Sequence, residues 1–173
     1  TGRPVKWVED RSEHMMAGGH ACAQEFECEA AVKNDGTVLG LRFNEYDDVG
    51  GSISTLTIHF TNKLNNLSNT YRTPAIHMIG NAVVTNKCPQ LPYRGVARPN
   101  VCYAMELMID AIARQIGKEP YEVRLANLVR PEQMPYDNVT DKHFDSGDYP
   151  QLLRMAIDAI DLPAVRARQK RGE

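Results

Sequence analysis

The sequence predicts an α+β fold, with antiparallel strands and a hairpin in the first half and three to four helices in the second. Three observations carry this. Phe26, Cys28, Ala30 and Val32 alternate with Glu25, Glu27, Glu29 and Lys33, the period of a half-buried strand with a charged outer face. Asn34-Asp35-Gly36 then supplies a hairpin turn. Much later, Val101, Met105, Met108, Ile112 and Ile116 fall at gaps of four, three, four and four, the spacing of one helix face, with Ala104 and Ala111 widening the stripe.

Taken in order, Val5, Trp7 and Val8 around Lys6 read as a strand already in progress. Asp10 or Ser12 caps a short helix carrying His14, Met15 and Met16, with the methionines as core filler and Gly18-Gly19 as the stop. After the hairpin, Val38, Leu39, Leu41 and Phe43 form the return strand. Residues 46–70 show no resolvable pattern; Asp47 and Asp48 read as a solvated turn rather than a hard-cation site. His59 and His77 read as core or hydrogen-bonded histidines. Residues 75–85 form a strand that delivers the chain into Pro92-Tyr93-Arg94-Gly95-Val96-Ala97-Arg98-Pro99. There Pro92 stiffens the approach, Gly95 permits a positive φ and Pro99 suits a first helical turn. A bent, stiff loop opening a helix presents backbone N–H groups and a fixed guanidinium, a geometry suited to phosphate, carboxylate or the oxo group of a cofactor. The alternative is a tight connection with two solvated arginines.

Gly117 ends the helix that follows, and a second starts near Pro120, burying Tyr121, Leu125, Leu128 and Val129 before Pro131. Residues 131–148 are a polar loop. Asp148 caps a helix through Leu152, Leu153, Ala156, Ile157 and Ile160, and Asp161 caps another that ends in the basic tail Arg166, Arg168, Lys170 and Arg171. The glutamates sit on a hairpin face or on helix surfaces, so none, Glu106 included, reads as a general base.

At 173 residues the chain reads as one domain, strand-rich over 1–90 and helical over 99–170. With 20 Lys+Arg against 22 Asp+Glu and a net charge of -2, bulk electrostatics point to neither nucleic acid nor an anionic membrane. No apolar run approaches the roughly 20 residues of a membrane span, and no signal-peptide core opens the chain, so a cytoplasmic location is expected. Cys22, Cys28, Cys88 and Cys102 lack metal-ligand spacing; reduced, mostly buried thiols and no metal site are expected. Asn66-Leu67-Ser68 and Asn138-Val139-Thr140 read as chance sequons.

Several motifs recur together in one order. They are Thr1-Gly2-Arg3-Pro4-Val5-Lys6 with Glu9-Asp10-Arg11, the Asp35-Gly36 hairpin, and Tyr93-Arg94-Gly95 running through Arg98-Pro99 into a helix bearing Glu106. Further on come Glu122-Val123-Arg124 with Asn127-Leu128, then Met134-Pro135-Tyr136, then Asp145-Ser146-Gly147-Asp148-Tyr149. Across essentially its whole length the chain resembles the molybdenum-binding large subunit of the molybdenum hydroxylases, the family of carbon monoxide dehydrogenase, xanthine dehydrogenase and aldehyde oxidase. The resemblance implies a molybdopterin cofactor, in the cytosine dinucleotide form of bacterial members, and partners comprising the rest of the large subunit with iron–sulfur and flavin subunits or domains. It places Arg94 beside the molybdenum ligands, Gly95 on the same cofactor-binding loop and Val96 in the substrate pocket. No catalytic or metal-ligating residue is assigned.

Departures from the family narrow the substrate. The copper-containing carbon monoxide oxidisers carry a cysteine where this chain has Gly95, and purine hydroxylases carry an aromatic residue where it has Val96. An aldehyde or a small aromatic heterocycle is expected. The family's glycine-rich cofactor loop and its glutamate base have no counterpart here, so a segment or split subunit, inactive alone and prone to self-associate, is expected. The competing expectation is a scaffold or assembly module that keeps the fold without cofactor.

Overall fold

The computed structural model describes residues 2–21, 23–52, 56–92 and 94–172. Its first half is a three-stranded sheet, β1 (Ala23–Val32), β2 (Val38–Gly50) and β3 (Ile76–Val84), in that spatial order. β1 and β2 form the expected antiparallel hairpin, with Phe26 opposite Glu45 and Cys28 opposite Phe43. β3 departs from expectation, because it runs parallel to β2 in a register of Leu41 with Ile76 and Phe43 with Met78. A parallel partner needs a crossover. Helix α2 (Leu56–Asn66) provides it, from the stretch where the sequence shows no pattern.

Helix α3 (Arg98–Ile116) is the central helix, with Val101, Ala104, Met105, Met108, Ile109, Ile112 and Ala113 buried. Its buried face is the expected stripe, shifted at one edge so that Ile109 and Ala113 are inside and Ala111 is exposed. The face packs on Leu41 and Phe43 of β2, with Leu67 and Tyr71 beyond the end of α2, in one core. Gly117, at φ 69, ends α3. Helix α4 (Pro120–Asn127) is shorter than expected and buries Val123, whereas Tyr121 and Leu125 are half-buried. Leu128 and Val129 are buried beyond its end, where the Val129 N–H donates to the Thr70 carbonyl at 3.0 Å.

Asn127 locks the hairpin turn to α4. Its side-chain oxygen accepts from the Val38 N–H at 2.9 Å, and its amide donates to the carbonyls of Gly36 and Val123 at 2.8 Å each. The residue is 1% exposed, so no water replaces these bonds. Asn127→Ala orphans the buried Val38 N–H and the Gly36 carbonyl, while the Val123 carbonyl keeps its helix bond, and we expect a loss of about 2–4 kcal/mol in chemical denaturation.

The polar loop contains a small antiparallel pair, β4 (Tyr136–Asp137) and β5 (His143–Phe144). Its pivot is Asn138, whose oxygen accepts from the backbone of Thr140 and Lys142 and whose amide donates to Ser68 Oγ at 2.8 Å. Thus the two sequon matches meet in the interior. Helices α5 (Tyr149–Ala159) and α6 (Leu162–Arg171) follow, capped by Asp148 and Asp161 as expected. α5 leaves Leu152, Met155 and the adjoining Ile160 exposed. Among the described residues no helix is long and apolar enough to cross a membrane.

Four expectations about the surface are corrected. Val5 to Val8 is not a strand, and Val5, Trp7 and Val8 are exposed, because no described strand pairs with this arm. Helix α1 (Arg11–Ala17), with its capping box between Asp10 and Glu13, stands outside the core, so Met15 and Met16 are exposed too. Cys28, Cys88 and Cys102 are exposed rather than buried, while Cys22 lies outside the described residues. His77 points outward from β3 and is exposed.

Candidate functional site

The approach to the Pro92 loop is held at several points. Gly50, at φ 69, lets the end of β2 pass so close to Cys88 that a β-carbon there would stand 2.1 Å from the Cys88 carbonyl oxygen. Asp48 sits beside this crossing and accepts from Lys87 Nζ at 2.7 Å, Thr85 Oγ1 at 2.6 Å and the Gly50 N–H at 3.1 Å. Those three donors, Lys87 foremost, hold its carboxyl down at about 2, below the ordinary 3.8. A depressed folded-state value contributes stability above the ordinary value and loses it as pH falls through the folded one. We therefore expect an acid-induced loss of stability between about pH 4 and 2, and Asp48→Asn should flatten it in denaturation curves taken across that window. The expected solvated turn at Asp47 and Asp48 is thus a continuation of β2.

Past Gln90 the chain turns into α3 through three consecutive residues with positive φ: Gly95 at 105°, Val96 at 36° and Ala97 at 65°. Glycine takes this conformation freely; a β-branched valine does so only under strain. A β-carbon on Gly95 would also lie 3.3 Å from Pro99 Cδ and Cγ. Arg98 folds back, its N–H and its guanidinium both donating to the Gly95 carbonyl at 3.3 and 3.2 Å. Ala97, 3% exposed, anchors the far end as the cap of α3.

Arg94 is exposed, and among the described residues nothing hydrogen-bonds or ion-pairs with it. Nor do the amides of Gly95, Val96 and Ala97 donate to any described backbone carbonyl. Successive N–H groups on a left-handed turn form an anion-binding concavity. The structure therefore places Arg94, Gly95 and Val96 on one turn, with the first exposed and the other two half-buried, while Arg98 is spent on the turn itself. Tyr93 lies outside the described residues.

Glu106 is engaged elsewhere. It accepts from Tyr71 Oη at 2.9 Å and from Arg124 Nε at 2.9 Å, and Arg124 also reaches Asp110 at 2.8 Å. Burial and the Glu106 charge push the Tyr71 hydroxyl well above its ordinary value. This is a structural clamp between α3 and α4.

Sequence reasoning missed a buried ionic cluster. Glu45 and Asp47 on β2 and Lys63 on α2 are fully buried; Lys63 Nζ donates to Glu45 Oε1 and, at 2.5 Å, to Asp47 Oδ2. The ammonium also lies 4.8 Å from the centroid of the Phe60 ring. Burial pushes the Glu45 carboxyl above its ordinary value, with Lys63 opposing the shift. His59, one turn before Lys63, is fully buried and its imidazole is pushed down, first by burial. Among the described residues no group of three or more His, Cys, Asp or Glu is arranged to hold a metal ion.

The family model for the molybdopterin cofactor-binding domain matches residues 1–128. The chain is 37% identical over 172 residues to the carbon monoxide dehydrogenase large chain of Hydrogenophaga pseudoflava, covering 97% of this chain and 21% of that one. It is 31% identical over 171 residues to the nicotine 6-hydroxylase large subunit of Paenarthrobacter nicotinovorans, again covering 21% of the relative and 96% of this chain. Among solved structures it superposes on quinoline 2-oxidoreductase from Pseudomonas putida 86 with a TM-score of 0.88 and 34% identity, covering 99% of this chain and 22% of that one. The chain thus spans about a fifth of the length of these relatives. The match over residues 1–128, which takes in the turn bearing Arg94, shows that the chain belongs to the molybdopterin cofactor-binding domain family.

Proposed function

We propose that the chain is an internal segment of the large subunit of a molybdenum-dependent hydroxylase or dehydrogenase, and that the turn at 94–97 is its contribution to the cofactor site. The observation that carries this is the exposed Arg94 guanidinium, without a partner among the described residues, at the head of a strained turn of three consecutive positive-φ residues. Strained backbone persists where the surrounding fold over-determines it, and such positions cluster at binding sites. The donor set fits an anionic, oxygen-rich group. The chemistry supplied when the molybdopterin cofactor is bound is a two-electron oxidation with oxygen delivery to a carbon centre. Arg94 offers a fixed charge and a planar fork of donors to anionic oxygens, and Gly95 lets the backbone come close. Val96 lines the substrate pocket with a short apolar surface rather than a stacking ring. No glutamate of this segment is assigned as the base of the reaction.

Relatives named for nicotine and quinoline support an aromatic heterocycle, with an aldehyde as the alternative substrate. The reading includes a cytosine dinucleotide form of the cofactor, iron–sulfur and flavin partners, and a cytoplasmic location. One core joins the strand-rich part to the helices, which supports treating residues 1–173 as a single domain. The isolated segment should be inactive and should self-associate through the exposed apolar side chains of α5 and the N-terminal arm.

The test is elemental and pterin analysis of the purified complete protein, followed by oxidation assays with heterocycles and aldehydes and a dye acceptor. About one molybdenum per large subunit is expected. A metal-free, pterin-free protein with a native fold would refute the reading.

A further inference from the structure

The cluster on Asp47 reaches further than the Lys63 contact. Asp47 Oδ1 accepts from Gln90 Nε2 at 2.9 Å and from Gln24 Nε2 at 3.1 Å, while Oδ2 accepts from Lys63. One buried carboxylate therefore joins β1, α2 and the segment after β3. Gln90 is 4% exposed and is fixed a second time through its N–H, which donates to the Val49 carbonyl at 3.1 Å. The next N–H, of Leu91, donates to the His20 carbonyl at 3.0 Å. Pro92 follows, and with it the turn that carries Arg94.

We propose that Asp47, acting through Gln90, is a positioning residue for the Arg94 turn, so that the buried cluster under the sheet sets where the cofactor-facing guanidinium stands. The proposal rests on the reading of that turn as a cofactor contact. Its physical ground is that a buried ionic cluster is an inefficient stabiliser: well-packed apolar residues of similar volume do as well or better. Here the cluster even leaves Glu45 Oε2 without a partner among the described residues. What apolar packing does not supply is direction. Asp47 fixes the Gln90 side chain to within a hydrogen bond, four residues before Arg94, from a strand that is paired on both sides. Sites are held in register by such supporting contacts, and loosening one displaces the groups it supports.

The experiment uses the complete protein and three variants, Gln90→Met, Gln90→Glu and the double exchange Asp47→Asn with Gln90→Glu. Methionine keeps the length of the side chain and removes the donor. Glutamate sets a second carboxylate against Asp47. The double exchange moves the charge across the contact and restores one hydrogen bond with its polarity reversed. Hydrogen exchange at the bonded amides of Gln90, Leu91 and Arg98 is measured with molybdenum and pterin content and the unfolding midpoint. Loss of a buried charge-assisted bond should raise local exchange by about ten- to a hundredfold in Gln90→Met, and more in Gln90→Glu, without comparable change in β1, β2 or the rest of α3. Cofactor content should fall in step, and the double exchange should recover both relative to Gln90→Glu.

Unchanged exchange at these three amides in Gln90→Met, or a double exchange no better than Gln90→Glu, overturns the proposal. A loosened turn with full cofactor content overturns it as well, since the contact would then hold a loop that the cofactor does not need. Arg94→Ala in parallel reports on the turn itself: if it leaves cofactor content and turnover unchanged, the underlying reading fails whatever Gln90 does.

Discussion

On the proposed reading of the turn, Arg94→Lys in the complete protein is expected to lower turnover per molybdenum by about 10²–10³, the usual effect of removing one preorganised donor that stabilises developing charge. Lysine keeps the positive charge but replaces a planar five-donor fork by a single flexible ammonium. The exposed position of Arg94, with no described partner, means that its replacement breaks no contact within the segment. The unfolding midpoint should therefore stay within error of wild type. Arg98→Lys should behave in the opposite way, with a lower midpoint and smaller loss of turnover, because Arg98 closes the turn on the Gly95 carbonyl. Measuring metal content, midpoint and turnover on both variants separates the roles, and wild-type turnover in Arg94→Lys would remove it from the site.

Lys63→Met should be the most destabilising single change in the chain, costing about 3–5 kcal/mol at neutral pH. Breaking a buried pair leaves uncompensated charge, which costs more than the pair contributes. Glu45 and Asp47, two positions apart on the buried face of β2, would then stand together with no cation among the described groups of the cluster. Glu45 is already pushed up by burial, and losing Lys63 removes the group that opposes the shift. A raised folded-state value contributes stability at low pH that is lost as pH rises through it. The penalty in Lys63→Met should therefore shrink on acidification from pH 7 toward 5 in denaturant titrations, the reverse of the trend expected around Asp48. A pH-independent penalty would show that the cost lies in packing against Phe60 rather than in charge.

The parts of the fold legible in the sequence are those in which apolar residues follow a simple period. β1, the Asp35-Gly36 turn and α3 obey it, and their positions agree with the structure. β2 obeys it only as far as Phe43. In-phase inward positions beyond it are Glu45 and Asp47, which read as surface residues and end the apparent strand, although both are fully buried. The partner that makes them tolerable is Lys63, at the buried end of a helix rich in asparagine and threonine, so neither half of the cluster signals burial by itself. The usable clue was their phase: two carboxylates continuing an inward alternation, followed by His59 and Lys63 spaced one turn apart. The parallel course of β3 was illegible for the same reason, since α2 was the missing crossover. At the turn, Gly95 and Pro99 pointed to a bend, but positive φ at Val96 and Ala97 follows from the tertiary frame, since neither residue favours it.

The contact between Asn127 and the hairpin also orders events during synthesis. Val38 and Asn127 are 89 positions apart, so the Asn127 bonds that seal the locally closed turn at Gly36 wait until nearly three-quarters of this segment has emerged from the ribosome. The β1–β2 hairpin forms from local contacts long before that, whereas its closure belongs to the slow, high-separation class of pairings. A nascent chain halted before residue 127 would present an unsealed hairpin edge and the buried face of β2, acidic at one end, to its surroundings. The Asn127 lock is in this sense a completion signal, and segments truncated upstream of it should be clients of the folding machinery rather than shorter versions of the same domain.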